Sequence, residues 1–336
     1  MTKEPHASLT GRTHKTATGL WVKSVRQYEL QNAPLGQPEA DQALIRTLYS
    51  GVSRGTERLV LNGQVPPSEY QRMRAPLQRG DFPFPVLYGY ACTGVVEEGP
   101  HHMLGHNVFC LHPHQDRFIA PVAMLAALPA SLPARRGTLA ANMETALNAL
   151  WDSGASAGDR IVVIGGGLVG LLVCYLACRL PGAEVVVVDP LDRTAIARSF
   201  GARWMPPEQA ASLAGTADLV FHTSANPAGL SLGLDLAGDE AKVVEMSWYG
   251  QKAVPLALGE SFHARRLHLI SAQVGRIPPN RAPRWTYQRR MAKAVELLDD
   301  ARLDALITHE LAFADAPAKL PDLMTAEAVI ATVLSY

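Results

Sequence analysis

Residues 160–170 read Arg-Ile-Val-Val-Ile-Gly-Gly-Gly-Leu-Val-Gly, and this stretch decides the fold. The β-branched run 161–164 predicts a buried strand, and the three consecutive glycines after it predict a tight turn. The apolar run 168–180 is long enough to form a helix. The order of strand, glycine-rich turn and helix is typical of the first unit of a doubly wound α/β sheet.

The glycines at 165, 167 and 170 have the spacing G-x-G-x-x-G. Gly165 allows the tight turn, Gly167 lets the backbone approach a diphosphate, and Gly170 lets the helix pack closely on the sheet. The helix begins with Leu168 and Val169, whose amide groups have no partner within the helix and attract an anion. This stretch therefore predicts a dinucleotide-binding site.

Asp189 ends the next predicted strand, nineteen residues after Gly170. A carboxylate at this place accepts hydrogen bonds from the adenosine ribose hydroxyls and repels a 2′-phosphate, which favours NAD over NADP. Arg193 and Arg198 follow closely and soften that preference, so NADP stays an alternative. Asp189 is also placed to cap the next helix. A methyltransferase would use a similar turn and acidic residue, but the full glycine spacing favours the dinucleotide.

The chain before residue 137 is rich in short strands. Runs of β-branched and aromatic residues are separated there by Pro, Gly and Asn, which predicts a compact β-barrel or sandwich. A polar connection at 66–85 predicts a surface excursion. The predicted strands are 20–25, 42–48, 90–98 and 107–111.

From about residue 137 strands and helices alternate, and the strands are continuous apolar runs. This pattern predicts a parallel sheet covered by helices on both faces. The predicted helices are 137–153, 168–180, 193–200, 227–236 and 287–298. The predicted strands are 161–164, 184–188, 218–222, 242–246 and 267–272, and a run at 306–313 leads into a closing helix and strand.

The composition excludes several classes of protein. Apolar residues make up 48% of the 336 and charged residues 18%, which indicates globular domains rather than disorder. The 31 basic and 31 acidic side chains balance, so we expect no nucleic-acid partner. Four irregularly spaced cysteines are too few for a disulfide framework. Residues 1–19 are polar and predict no export signal, and the uncharged run 161–178 is better explained by strand, turn and helix than by a membrane span.

With these pieces in order, the chain resembles the medium-chain dehydrogenase/reductase superfamily along nearly its whole length. The resemblance implies a GroES-like catalytic domain at 18–136, a Rossmann NAD(P)-binding domain at 137–272 and a return to the catalytic domain at 273–336. The matching stretches are LYSGVSRGTE (48–57), PVLYGYACTGVV (85–96), GHNVF (105–109), ETALNAL (144–150) and LITH (306–309). A narrower likeness, to the bacteriochlorophyllide 3-hydroxyethyl dehydrogenases and their relatives, is carried by SGVSRGTER (50–58) and NGQVPP (62–67).

The resemblance is broken where relatives bind zinc. Zinc-dependent members hold the catalytic ion with a cysteine, a histidine and a third Cys or Glu. In this chain these positions fall on Ser53 or Arg54, on Tyr90 and near Ala141, and none is a good zinc ligand. The structural zinc lobe is absent as well. The resemblance therefore implies a branch without catalytic or structural zinc.

Without zinc, another group must exchange the alcohol proton. Thr56 aligns with the Ser/Thr of the family's proton relay. Tyr90 suits hydrogen-bond donation to an oxyanion, and His112, which aligns with a residue lining the substrate pocket, titrates in the range useful to an acid or base. We expect Glu57 to orient either group. The structural alternatives are that Tyr90 fills the space of the missing metal and that Glu57 braces Arg54.

A histidine cluster offers a competing metal site. Cys110, His112 and His114 would share one face of an extended strand, and such a face can bind a transition metal. Exposed or backbone-bonded histidines are the more ordinary interpretation, and Pro113 disturbs regular strand pairing. The other members of the cluster are His101, His102 and His106.

The implied function is NAD(P)-linked oxidation of a secondary alcohol, or the reverse reduction, on a small-molecule substrate. A zinc-free quinone or enone reductase and a non-catalytic NAD(P)-binding protein are the alternatives. The resemblance also implies a homodimer, formed edge to edge by the strands at 242–246 and 267–272. Because residues 1–19 predict no export signal and 161–178 no membrane span, we expect a cytoplasmic protein with no membrane partner.

Overall fold

The computed structural model describes residues 15–336 of the protein. The prediction about export rests on residues 1–19, of which residues 1–14 lie outside this range. All four cysteines lie within it and are free thiols. No helix among the described residues is long and apolar enough to cross a bilayer.

The chain up to residue 127 is built mainly from antiparallel strands. Strands β1, β2, β4 and β5 form one four-stranded sheet in the order β2-β1-β5-β4, and β3, β6, β7 and β9 belong to a second sheet, where β8 pairs with β3. One helix, α1, follows β3 directly. The bounds are β1 Lys15–Ser24, β2 Gln27–Leu35, β3 Gln42–Val52, α1 Arg54–Leu61, β4 Arg79–Gly80, β5 Val86–Leu87, β6 Cys92–Glu98, β7 Asn107–Cys110, β8 Arg117–Pro121 and β9 Leu125–Ala127.

The middle of the chain forms a six-stranded parallel sheet in the order β12-β11-β10-β13-β14-β15. The strand order reverses at β10, so a crevice opens between β10 and β13 at their carboxyl ends. The bounds are α2 Ala134–Gly137, α3 Ala140–Ser153, β10 Arg160–Ile164, α4 Leu168–Ala177, β11 Glu184–Val188, α5 Thr194–Phe200, β12 Arg203–Met205, β13 Ala217–His222, α6 Pro227–Leu236, β14 Ala237–Glu245 and β15 His268–Ser271.

Strand β10 shows why the strands of the parallel sheet are continuous apolar runs. Ile161 and Val163 pack into one buried cluster, and Val162 and Ile164 pack into another on the opposite face. Helices α3 and α4 contribute to the first cluster and α6 to the second. The prediction of a doubly wound α/β sheet is therefore confirmed.

The last part of the chain returns to the first half. Strand β17 pairs with β16 in parallel and with β3 in antiparallel register, so the second sheet has the order β16-β17-β3-β6-β7-β9. The bounds are α7 Tyr287–Leu297, β16 Ile307–Ala312, α8 Ala316–Leu323 and β17 Ala331–Ser335.

Two predictions about local structure need correction. The helix predicted at 137–153 begins only at Ala140, as α3, and Gly137 is instead the last residue of the short helix α2. The strand predicted at 90–98 begins only at Cys92. Strand β2 was missed because its buried positions are sparse, so the run carries little apolar alternation.

Candidate functional site

The glycine-rich turn tolerates no side chain at its ends. Gly165 has φ = +109°, and a Cβ added there would lie 2.7 Å from Thr223 Oγ1. A Cβ added at Gly170 would lie 1.9 Å from the carbonyl oxygen of Gly165. The first turn of α4 therefore packs directly on the strand end, as the glycine spacing requires.

The amino end of α4 is open to a ligand. Gly167 precedes the helix, no side chain caps it, and nothing lies within 4 Å of a Cβ added at Gly167. The amide groups of Leu168, Val169 and Gly170 cannot find carbonyl partners within the helix. Together with the helix dipole they form an anion site of the size of a phosphate group.

Asp189 lies directly beside this turn. Its Oδ2 accepts a hydrogen bond from the Gly166 amide at 2.6 Å, and its Oδ1 accepts one from the Leu191 amide at 2.8 Å. It does not cap α5, which begins after Arg193, so the capping alternative is wrong. The side chain of Arg193 passes over Gly166, and its Nε is buried without a partner in the described part of the chain.

A cavity of about 1130 Å³ joins the two halves of the molecule. Val169 of the glycine-rich turn and Thr223 at the end of β13 line it on the side of the parallel sheet. Thr56 on α1 and Tyr90 line it on the side of the β-rich half. The glycine-rich turn and two of the four predicted catalytic residues thus share one cavity.

The wall around Tyr90 is a group of hydroxyls. Burial and, next, the negative charge of Glu57 raise the pKa of Tyr90 to about 12, while hydrogen bonds with the side chains of Ser53 and Thr56 act in the opposite direction. The phenol is therefore protonated throughout the ordinary pH range. It can donate a hydrogen bond to an oxygen that gains negative charge.

Glu57 lies behind this wall and is almost fully buried. Its Oε1 accepts a hydrogen bond from the Ser53 amide at 2.8 Å, and its Oε2 lies 2.9 Å from Nε2 of His114. The chain of hydrogen bonds continues from His114 Nδ1 to Ser50 Oγ at 2.7 Å and from there to the Tyr336 hydroxyl at 2.8 Å.

Two expectations about Glu57 are corrected by these contacts. It forms no hydrogen bond with Tyr90 or His112 and does not pair with Arg54. Arg54 instead donates hydrogen bonds to the carbonyl groups of Met324, Ala326 and Val329 and so holds the loop before β17. Glu57 contacts the cavity wall through the Ser53 amide, and its charge contributes to the raised pKa of Tyr90.

His112 does not line the cavity. Its ring is stacked on Phe118 with 3.9 Å between ring centroids, and its Nδ1 donates a hydrogen bond to the Pro113 carbonyl at 2.8 Å. Burial lowers the pKa of His112 to about 3, against a smaller opposite effect of that hydrogen bond. The expectation that it titrates near neutral pH is therefore wrong, because the ring is enclosed by apolar packing.

The resemblance aligned Ser53 or Arg54, Tyr90 and a residue near Ala141 with zinc ligands. Ser53, Tyr90 and Ala141 line the cavity and Arg54 does not. The three lining residues offer a hydroxyl, a phenol of raised pKa and a methyl group. No group of three or more His, Cys, Asp or Glu side chains in residues 15–336 is arranged to hold a metal ion. Within the histidine cluster, β7 ends at Cys110, so the shared strand face expected for Cys110, His112 and His114 does not form.

Sequence reasoning missed a buried ion pair in the cavity wall. Arg290 on α7 donates to Glu144 Oε1 on α3 at 3.0 Å and to the Val274 carbonyl at 2.7 Å, and both charged residues are buried. Burial raises the pKa of Glu144, and the charge of Arg290 opposes that shift. The surface excursion expected at 66–85 also contributes to the lining through residues 72–76.

No protein-family model matches the chain. It is 29% identical over 169 residues to 2-dehydro-3-deoxy-L-galactonate 5-dehydrogenase from Pseudoalteromonas atlantica, covering 48% of this chain and 49% of the relative. The chain thus spans about half the length of the curated relatives it matches.

Solved structures match the whole fold. L-idonate 5-dehydrogenase from Escherichia coli superposes with a TM-score of 0.79 at 14% identity, covering 96% of this chain and 99% of the other. A short chain alcohol dehydrogenase from Escherichia coli, complexed with NADH, superposes with a TM-score of 0.74 at 15% identity, with the same coverage. The chain has the fold of these dehydrogenases, a GroES-like domain joined to a Rossmann domain.

Proposed function

We propose that this protein is an NAD(P)-dependent oxidoreductase of the medium-chain dehydrogenase/reductase type, acting on a secondary alcohol or the corresponding ketone. The observation that carries the proposal is the single cavity lined by Val169, from the glycine-rich turn, and by Thr56 and Tyr90. The glycine-rich turn would hold the cofactor's diphosphate, and the same cavity connects that turn with the hydroxyls of Thr56 and Tyr90. The names of the similar dehydrogenases support the same class of reaction.

The chain's own groups fit a dinucleotide. The amides of Leu168 and Val169 hold the diphosphate, and Gly167 leaves room for it. The Nε atom of Arg193 is buried without a partner in the described residues, and the Arg193 side chain lies beside Gly166 and Asp189. An unpaired guanidinium nitrogen at the glycine-rich turn favours an anionic group of the cofactor.

We propose NAD as the preferred cofactor. Each carboxylate oxygen of Asp189 accepts one hydrogen bond from the backbone and has a further lone pair. The remaining lone pairs of this carboxylate can accept hydrogen bonds from the ribose hydroxyls. Its charge repels a 2′-phosphate. Arg193 stands next to it without a partner among residues 15–336 and reduces this discrimination, so NADP remains the second cofactor to test.

We propose that catalysis uses no zinc. Ser53, Tyr90 and Ala141 lack the thiolate and imidazole ligands that such a site needs. The bound nicotinamide supplies the hydride acceptor or donor. The phenol of Tyr90 donates its hydrogen bond to the substrate oxygen, and Thr56, which is hydrogen-bonded to Tyr90 and partly exposed, passes the alcohol proton to solvent. Glu57 is a positioning residue, and His112 has no part in the proton transfer.

The test has a binding part and a kinetic part. Purified protein should enhance or shift the fluorescence of NADH, and a panel of secondary alcohols that includes L-idonate should yield turnover with NAD. Tyr90→Phe should then reduce kcat about 10²-fold or more with little change in NADH affinity. Tyr70→Phe, a tyrosine outside the cavity lining, should leave kcat unchanged.

Other results would point elsewhere. Reduction of quinones or enones at a rate that Tyr90→Phe does not change would favour the reductase alternative, since that reaction needs no alcohol proton. NADH binding without turnover on any class of substrate would favour a non-catalytic binding protein. Absence of NADH and NADPH binding would disprove the proposal.

We also propose a homodimer that joins the β15 edges of two parallel sheets. In the described part of the chain β15 pairs only with β14, which leaves its outer edge free to continue the sheet.

A further inference from the structure

Basic side chains dominate the charged lining of the cavity. Among the residues that line it, one is acidic, Glu144. The basic ones are Arg58, Arg72, Arg74, Lys252 and Arg290. Some of these positive charges are neutralised by carboxylates of the protein itself.

Three of the five cations have carboxylate partners. Arg72 pairs with Glu69 at 3.0 Å and Arg74 pairs with Asp81, both at the edge of the cavity. Arg290 pairs with Glu144, as described above. The side chains of Arg58 and Lys252 have no hydrogen-bond or ion-pair partner among residues 15–336. The cavity therefore presents two positive charges that the described chain does not neutralise.

Backbone contacts bring these two cations to the same wall. Arg58 lies on α1, two residues after Thr56, and Leu59 next to it also lines the cavity. Gly250 approaches the end of α1 so closely that an added Cβ would lie 2.6 Å from the Gln64 carbonyl oxygen and 3.1 Å from Leu59. Lys252 follows two residues later, so its loop is held against the helix that carries Arg58.

There is room beside Arg58 for a ligand. Gly55 precedes it by one helical turn, on the same face of α1, and also lines the cavity. Nothing lies within 4 Å of a Cβ added at Gly55. A substrate that reaches Thr56 and Tyr90 with its alcohol group can therefore extend an acidic group into this space.

We propose that Arg58 and Lys252 form a subsite for an anionic group, a carboxylate or a phosphate, on the substrate. The inference rests on the proposed dehydrogenase function, in which the cofactor's diphosphate is already held by the amino end of α4. Both cations are solvent-exposed. Their contribution to substrate affinity therefore falls as ionic strength rises. It comes from attracting and orienting the anionic substrate more than from enclosing it away from water.

The experiment compares matched neutral and anionic probes at constant ionic strength. The protein–NADH complex is titrated by calorimetry with gluconate, glucitol 6-phosphate and glucitol, and each is also tried as a substrate with NAD. The same titrations and activity assays are repeated with the acid, the phosphate ester and the polyol that have the galactose configuration. The variants are Arg58→Gln, Lys252→Gln and the double variant, with Arg72→Gln, a cation paired with Glu69, as the matched control.

We expect the anionic probes to bind at least about tenfold more tightly than the neutral polyol of the same configuration, because a charged hydrogen bond contributes that much. The double variant should abolish the preference by raising the Kd or KM of the anion, while NADH affinity stays unchanged. The control variant Arg72→Gln should keep the preference for the anionic probes. A preference confined to the carboxylate or to the phosphate series would identify the anion.

The inference is overturned if the wild-type complex shows no preference for any anionic probe, or if the preference survives in the double variant. A loss of NADH affinity in the double variant would also overturn it, because the pair would then serve the cofactor. Failure of the dehydrogenase function itself gives a different result, since NADH binding is then absent from the wild-type protein.

Discussion

His112 and His114 lie two residues apart and have opposite environments. His114 joins Glu57 in a buried chain of hydrogen bonds, and His112 is stacked on Phe118 with no carboxylate partner. An extended strand would have put both on one face. Because β7 ends at Cys110, the two rings are instead placed by the separate segments that pack around them.

The low pKa of His112 predicts a pH dependence of stability. The folded-state pKa, about 3, is below the unfolded value near 6.5, so the unfolded chain binds the extra proton between these values. Stability is fully present above about pH 6.5 and is lost as the pH falls, by up to about 1.4 kcal/mol per pH unit. His112→Phe should remove this slope in urea unfolding experiments.

The control for this prediction is His106→Phe, which changes an exposed histidine. Its unfolding free energy should follow the wild-type slope. An equal slope in wild type and His112→Phe would contradict the assignment of the slope to His112.

At the scale of elements, the unit β10–turn–α4 contributes both to the centre of the sheet and to the lining of the cavity. Its strand lies in the centre of the parallel sheet, and its turn lines the cavity through Val169. The close packing that stabilises the sheet therefore also fixes the direction of the helix amides. Stability and cofactor affinity should both depend on it.

Gly170→Ala tests this dependence. The added Cβ would lie 1.9 Å from the Gly165 carbonyl oxygen, so helix and turn must separate. We expect a loss of about 1–3 kcal/mol in the free energy of unfolding and at least a tenfold weaker NADH affinity by fluorescence titration. Gly36→Ala, where an added Cβ meets nothing within 4 Å, should change neither. Unchanged NADH affinity in Gly170→Ala would place the cofactor elsewhere.

At the scale of the whole molecule, the last strand of the described chain is joined to the elements that carry the β-rich side of the cavity. Strand β17 returns to pair with β3, and Arg54 at the start of α1 binds the carbonyl groups of the loop before β17. Tyr336, which follows β17, joins the hydrogen-bond chain behind Tyr90 through Ser50. Residues separated by most of the sequence thereby support the same wall.

The free edge of β15 predicts the oligomeric state. Leu269 on this strand is 37% exposed, which is unusual for a large apolar residue in a sheet. Light scattering after size exclusion should give the mass of a dimer, and Leu269→Lys should give a monomer that still binds NADH. Val25→Lys changes another exposed apolar residue, away from this edge, and should leave the dimer intact. A monomeric wild-type protein would contradict this prediction.

The sequence by itself determined the strand, turn and helix around Gly165, the parallel sheet and the place of Asp189. These features follow from local causes: the period of apolar residues, the conformations open only to glycine and the distance along one βαβ unit. Thr56 and Tyr90 were selected through the family resemblance and not from local causes, and both residues line the cavity.

Only the tertiary structure decided which charges are neutralised. The partner of Glu57 is His114, the partner of Arg290 is Glu144, and Arg58 and Lys252 are left without one in the described residues. Each pairing joins segments distant in sequence, and a pattern of short period carries no information about such contacts. Burial likewise converted His112 from an expected acid–base group into a packed aromatic ring, because desolvation depends on the residues that surround a side chain and not on its own type.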